Sequence, residues 1–143
     1  MDVIDADAVL IGSGIKTRDH VADEQLMTQL MLDPTRQLIG AQCSGALLLE
    51  KLGLLKNIPV CTDLTTAPWV QETGVEVLNQ AFYADQNIAS SGGCLASSYL
   101  ACWLIARTEG LDAAISAMHY VAPVGEKDAY VKAMLRNIGP YLE

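Results

Sequence analysis

The chain has 143 residues, of which 51% are apolar and 18% charged, with a formal net charge of −8. That much apolar chain suits one domain with a sizeable core and argues against disorder. The acidic balance shows no basic face, which excludes nucleic acid and an anionic membrane surface as expected partners.

The opening MDVIDADAVL lacks a basic n-region and a long apolar core, and no apolar run is long enough to cross a bilayer. Ala8 to Ile11 (AVLI) is a short continuous apolar run, the pattern of a strand buried on both faces of a parallel sheet. Gly12-Ser13-Gly14 follows as a turn whose backbone N–H groups can approach a ligand closely. The segment IKTRDH, with Lys16, Arg18 and His20, reads as a loop, with His20 in solvent. A helix is predicted from about Asp23 to Leu32, burying Leu26, Leu30 and Met31 and ended by Asp33-Pro34.

The most informative stretch is QLIGAQCSGALLLEKLGLL. Gln37 to Gln42 reads as a buried strand, and Gly45 to Leu52 as a helix with Gly53 at its C-terminal cap. Cys43 falls at the join. A strand turning straight into a helix strains the turn residue and sets it beside the free N–H groups of the helix start. A cysteine there is expected to be exposed, in a positive field and lowered in pKa. Ala41 and Gly45 supply the small flanks such an elbow needs.

Downstream, Pro59 to Thr62 reads as a short strand or extended turn, and Asp63 to Pro68 as a polar link into a helical turn over Ala67 to Glu72. Asp63 is either a pocket acid or the cap of that turn. Val75 to Leu78 and Ala81 to Ala84 are strand-like, Asp85-Gln86-Asn87 is a turn, and Asn87 to Ser91 is a strand entering Gly92-Gly93. From Cys94 to about Arg107 a nearly all-apolar helix is predicted to be buried, its small residues Ala96, Ser97, Ser98 and Ala101 pressed against the sheet. A helix over Asp112 to His119, a loop through Pro123 and Gly125, and an amphipathic helix over Glu126 to Ile138 complete the chain. His119 is expected to pack at a helix end, Glu126-Lys127-Asp128 to be a solvated helix start, and Trp69 and Trp103 to serve the core or an interface. The alternation predicts an α/β fold with a doubly wound, mostly parallel sheet in one domain. Few parallel strands are present for such a sheet, as though an opening β-α-β portion were missing.

Four cysteines, Cys43, Cys61, Cys94 and Cys102, match neither a zinc ribbon nor a C-x-x-C pair, and only two histidines accompany them. No metal or cofactor is expected, and four free thiols suit a reducing cytoplasm. Cys61, Cys94 and Cys102 are expected to be small buried hydrophobes, with Cys61 the one nearest the pocket.

The succession AVLIGSG, GAQCSGALLLEKLGLL and ASSGGCLASSYLACWLIARTEG resembles the ThiJ/PfpI family of the class I glutamine amidotransferase-like superfamily, nearest its isonitrile hydratase-like branch. The resemblance implies a flavodoxin-like fold with helices on both faces of the sheet, a homodimer, and an elbow cysteine acting on a small-molecule substrate. It assigns Cys43 as nucleophile, the Ser44 N–H as one oxyanion donor, and the Ser13-Gly14 turn as the second arm, where the family normally has Pro-Gly-Gly. It also places the family's activating acid before Met1, which implies an N-terminally truncated domain, and sets Asp63 where many members have a histidine. The expected function is cysteine-dependent hydration, hydrolysis or glyoxalase-like chemistry. The alternative is a ligand-sensing or redox-responsive protein of the same fold.

Overall fold

A computed structural model of the chain describes residues 3–143. Its centre is a four-stranded sheet in the order β1-β2-β4-β3, formed by β1 (Ala8–Ile11), β2 (Leu38–Gln42), β3 (Phe82–Asp85) and β4 (Ile88–Ser91). β1, β2 and β4 run parallel, with Val9 opposite Ile39 and Ile39 opposite Ile88. β3 is antiparallel to β4, and Gln86, at φ 52°, turns the hairpin between them. This is the doubly wound, mostly parallel arrangement expected from the alternation of elements.

The period of two along each strand divides the core between the faces. Ile39 and Ala41 pack with Leu47 and Leu49 of α3 (Ala46–Lys51) and Val70 of α4 (Ala67–Gln71). On the other face, Phe82, Ala84 and Ala89 meet Leu100 and Trp103 of α5 (Ser97–Glu109), Met118 of α6 (Leu111–Val121), and Met134 and Ile138 of α7 (Lys127–Ile138). Each fully buried aliphatic or aromatic side chain contributes about 1.5–3 kcal/mol of transfer free energy. Gly40 keeps α5 close: a Cβ there would lie 2.8 Å from a Leu100 methyl. The cap of α3 is as expected. Gly53, at φ 74°, donates to Glu50 O and Leu54 N donates to Leu49 O, the paired bonds of a Schellman motif.

Several local expectations are corrected. IKTRDH is not all loop: from Thr17 on it is helix, α1 (Thr17–Ala22), which starts where the buried Thr17 hydroxyl donates to Gly14 O at 2.7 Å. The next helix, α2, is only Glu24–Gln29. Asp23 caps it through Leu26 N, and it buries Met27 while Met31 is exposed. Val75 to Leu78 does not form a strand: Val77 makes a single parallel bridge to Val60. β1 is an edge strand and is only half-buried, with Leu10 47% exposed. On α5 the small residues Ser97 and Ala101 point outward, and larger Leu100 and Trp103 meet the sheet. Among the described residues no helix is long and apolar enough to cross a membrane.

Candidate active site

β2 ends at Gln42, and Cys43 opens a tight turn (Cys43–Gly45) into α3. Cys43 has φ 49°, a left-handed conformation that costs a non-glycine residue about 1–2 kcal/mol. Three contacts hold it there. Thr62 Oγ1 donates to Cys43 O at 2.7 Å. Gly45 lies so near β1 that a Cβ would stand 2.6 Å from Ile11 O. Gln42 Nε2 donates to Cys43 Sγ at 3.2 Å and to Gly93 O at 2.9 Å, while its Oε1 accepts from Ser91 Oγ. Gly92 brings the Thr62 segment against this corner, since a Cβ there would meet Thr62 O at 2.4 Å. The elbow therefore sits where the segments after β1, β2 and β4 converge. In open α/β sheets, ligands bind at these carboxyl ends of the strands.

A cavity of about 420 Å³ opens beside the thiol, walled by Cys43, Asp63, Arg18, Trp69, Thr66 and Cys94, with Ser13, Gly14 and Ser44 along one side. All five of the residues expected at the site, Cys43, Ser44, Ser13, Gly14 and Asp63, line it. Their roles differ in part from expectation.

Cys43 is buried, not exposed, at 5% relative accessibility. Burial pushes its thiol above the ordinary range, and the electrostatic effects of Asp63 and Cys94 push the same way. The Gly93 backbone and the Gln42 amide pull it down but do not win. The lowered pKa expected for the elbow is therefore corrected. The turn leads into a helix of six residues, and the field of so short a helix does not outweigh desolvation.

The second oxyanion arm is also modified. Gly14 N donates to Ser44 Oγ at 3.1 Å, and Ser44 Oγ lies 2.8 Å from Thr17 Oγ1. Thr17 spends its own proton on Gly14 O, so Ser44 is the donor to Thr17 and the three residues close a ring. The Ser44 N–H opens a helical turn, where amides have no intrahelical acceptor.

Asp63 caps the turn and also lines the cavity. Its Oδ2 accepts from Thr65 N at 3.1 Å and Thr66 N at 3.0 Å, which caps the turn before α4. Its Oδ1 is buried with no hydrogen-bond partner. A buried carboxylate oxygen left without a partner is costly.

The remaining candidates separate. Cys61 is fully buried, its amide bonded to Ser90 Oγ at 2.9 Å, and burial pushes its thiol up to about 12. Cys102 is buried in the opposite face, whereas Cys94 is exposed and lines the cavity, against expectation. His20 and His119 are exposed and line no part of it, and His119 O accepts from Lys127 Nζ at 2.6 Å at the end of α6. Trp69 packs against the core as expected and also walls the cavity, with the Arg18 guanidinium over its ring, 4.2 Å from the centroid. Gln42 and Thr62 are site residues with no role expected from sequence, Arg18 was expected in a loop, and Cys94 was expected to be buried. The neighbours of the elbow in sequence mark Gln42, but nothing local marks the other three. Among the described residues no cluster of three or more His, Cys, Asp or Glu side chains is arranged to hold a metal ion.

Comparison with protein-family models and with curated proteins found no match. Solved structures do match. A DJ-1 superfamily protein of Salmonella typhimurium, solved as a cysteine-to-alanine mutant, superposes with a TM-score of 0.66 at 24% identity over 82% of this chain and 65% of its own. A ThiJ/PfpI family protein of Pseudomonas syringae gives 0.58 at 18% identity over 96% of this chain and 50% of its own. Schizosaccharomyces pombe DJ-1 gives 0.52 at 16% identity over 89% and 61%. The chain thus spans half to two thirds of the length of these proteins. It has the flavodoxin-like α/β fold that the DJ-1 and ThiJ/PfpI proteins share.

Proposed function

We propose that the chain carries the site of a cysteine-dependent enzyme acting on a small carbon electrophile, with Cys43 as nucleophile. The observation that supports this best is that a strained elbow thiol and Asp63, whose Oδ1 has no hydrogen-bond partner, belong to the lining of one cavity. A thiol with a raised pKa is protonated at neutral pH and needs a base to become a nucleophile. In the proposed step the Asp63 carboxylate takes the thiol proton. The sulfur pair then forms a C–S bond to the electrophilic carbon, and the carbonyl or isonitrile π pair moves to the distal atom. The Ser44 N–H steadies the charge that develops there, an interaction worth ~3 kcal/mol in comparable sites. Hydration of an isonitrile, hydrolysis of an adduct and glyoxalase-like rearrangement all begin in this way. A cytoplasmic homodimer belongs to the same proposal, carried over from the resemblance.

The raised Cys43 pKa and the exposed Cys94 in the same cavity favour a second reading, a ligand-sensing or redox-responsive protein. Turnover of an isonitrile and of methylglyoxal, compared with Cys43→Ala, separates the two. The enzyme reading expects activity that the variant loses, and equal background rates in both proteins overturn it.

A further inference from the structure

Arg18 is the only cation among the described residues lining the Cys43 cavity. In a chain with 17 acidic and nine basic side chains, a cation is readily neutralised by a carboxylate, and this one is not. Among the described residues the ion pair observed is Arg36 with Asp7, and no protein acceptor takes a hydrogen bond from Arg18. Its guanidinium is instead stacked on Trp69, 4.2 Å from the ring centroid. Stacking fixes the plane of the fork while leaving its N–H edge free, the arrangement suited to a planar carboxylate.

Both partners are held by the framework that holds the nucleophile. Arg18 follows Thr17, whose hydroxyl closes the ring with Gly14 and Ser44. Trp69 sits on α4, and its amide donates to Thr66 O at 3.0 Å in the turn that Asp63 caps. The cavity is small, at about 420 Å³. Asp63 supplies opposing negative charge, so a single anionic group fits it better than a phosphate dianion.

We propose that Arg18, stacked on Trp69, binds the carboxylate of an anionic electrophile and presents its reactive carbon to Cys43. The substrate class is a carboxylate-bearing carbonyl compound such as a 2-oxo acid. This deepens the proposed function and rests on Cys43 being the reacting group.

Two alkylating reagents of nearly equal size, anionic iodoacetate and neutral iodoacetamide, test it. In each, the Cys43 sulfur forms a bond to the CH₂ carbon, iodide leaves and the thiol proton goes to solvent. The rates are followed at Cys43 by peptide mass spectrometry in a Cys94→Ser background, because Cys94 lines the same cavity. Arg18→Gln is expected to slow iodoacetate about fivefold, the scale of a solvent-exposed ion pair, and to leave iodoacetamide unchanged. Arg18→Lys retains part of the iodoacetate rate. An iodoacetate-to-iodoacetamide ratio that is the same with and without Arg18 overturns the inference and leaves Cys43 as nucleophile standing. No reaction of Cys43 with iodoacetamide overturns both.

Discussion

The Gly14 amide donates to the Ser44 hydroxyl at 3.1 Å, which ties the glycine turn after β1 to the residue following the elbow cysteine. Thr17 completes the ring, so the start of α1, the glycine turn and the elbow move as one body. An amide expected to serve as an oxyanion donor is thus a structural clamp. Ser44→Ala is expected to destabilise the fold by about 1–2 kcal/mol in urea unfolding, because Gly14 N–H and Thr17 Oγ1 lose a shared partner. Alkylation of Cys43 should persist, since the backbone N–H of residue 44 is retained. An unchanged unfolding midpoint would show that water replaces the hydroxyl without penalty.

Asp63 raises the Cys43 pKa through its charge, after the larger effect of burial. Asp63→Asn keeps an oxygen for the Thr65 and Thr66 amides but removes that charge. The pH midpoint of Cys43 labelling by iodoacetamide is expected to move to lower pH, while turnover of any substrate falls. A variant that labels at lower pH and yet turns over faster would exclude Asp63 as the base.

The positive φ of Cys43 gives a prediction about stability that is independent of chemistry. Cys43→Gly relieves the left-handed strain and Cys43→Ala does not. The glycine variant is expected to be about 1 kcal/mol more stable than the alanine variant. Equal urea midpoints for the two would contradict the strained elbow.

Burial holds the Cys61 thiol protonated to about 12, against an ordinary value of 9.0. The unfolded chain releases that proton first. The stability tied to Cys61 is therefore fully present below pH 9 and is lost as pH rises toward 12. Urea unfolding from pH 7 to about pH 10.5 should fall more steeply for the parent than for Cys61→Ala. Parallel curves would mean that burial does not raise the Cys61 pKa above its value in the unfolded chain.

The legible parts of this fold are those written in neighbouring residues. AVLI and QLIGAQ are strands because their apolar runs are short and bounded by turn residues. Gly53 caps α3 and Asp85-Gln86-Asn87 makes a hairpin because each supplies its turn with the backbone it needs. The errors fell where a distant partner decides. IKTRDH carries a polar pattern that reads as loop, but the tie between Thr17 and Gly14 starts a helix within it. Val75 to Leu78 alternates like a strand, yet Val77 finds one parallel partner at Val60 and no continuing ladder. The small residues of α5 suggested a close contact, but the space at the sheet comes from Gly40 and is filled by Leu100.

The candidate site divides in the same way. By itself the sequence determined that Cys43 is an elbow residue, because a strand, a one-residue join and a helix leave the backbone little choice. The family resemblance set Ser44 and the glycine turn beside it, and the residues left Asp63 with two possible roles. Tertiary structure alone decided the state of the thiol and the company it keeps. Burial at the carboxyl ends of the strands raises its pKa above what the local helix start would give. Packing of α1 against α3 and of α4 beside them brings Arg18 and Trp69 to the cavity across about 50 residues of chain. Desolvation and side-chain stacking depend on everything that surrounds a group, and no stretch of sequence around Cys43 contains that information.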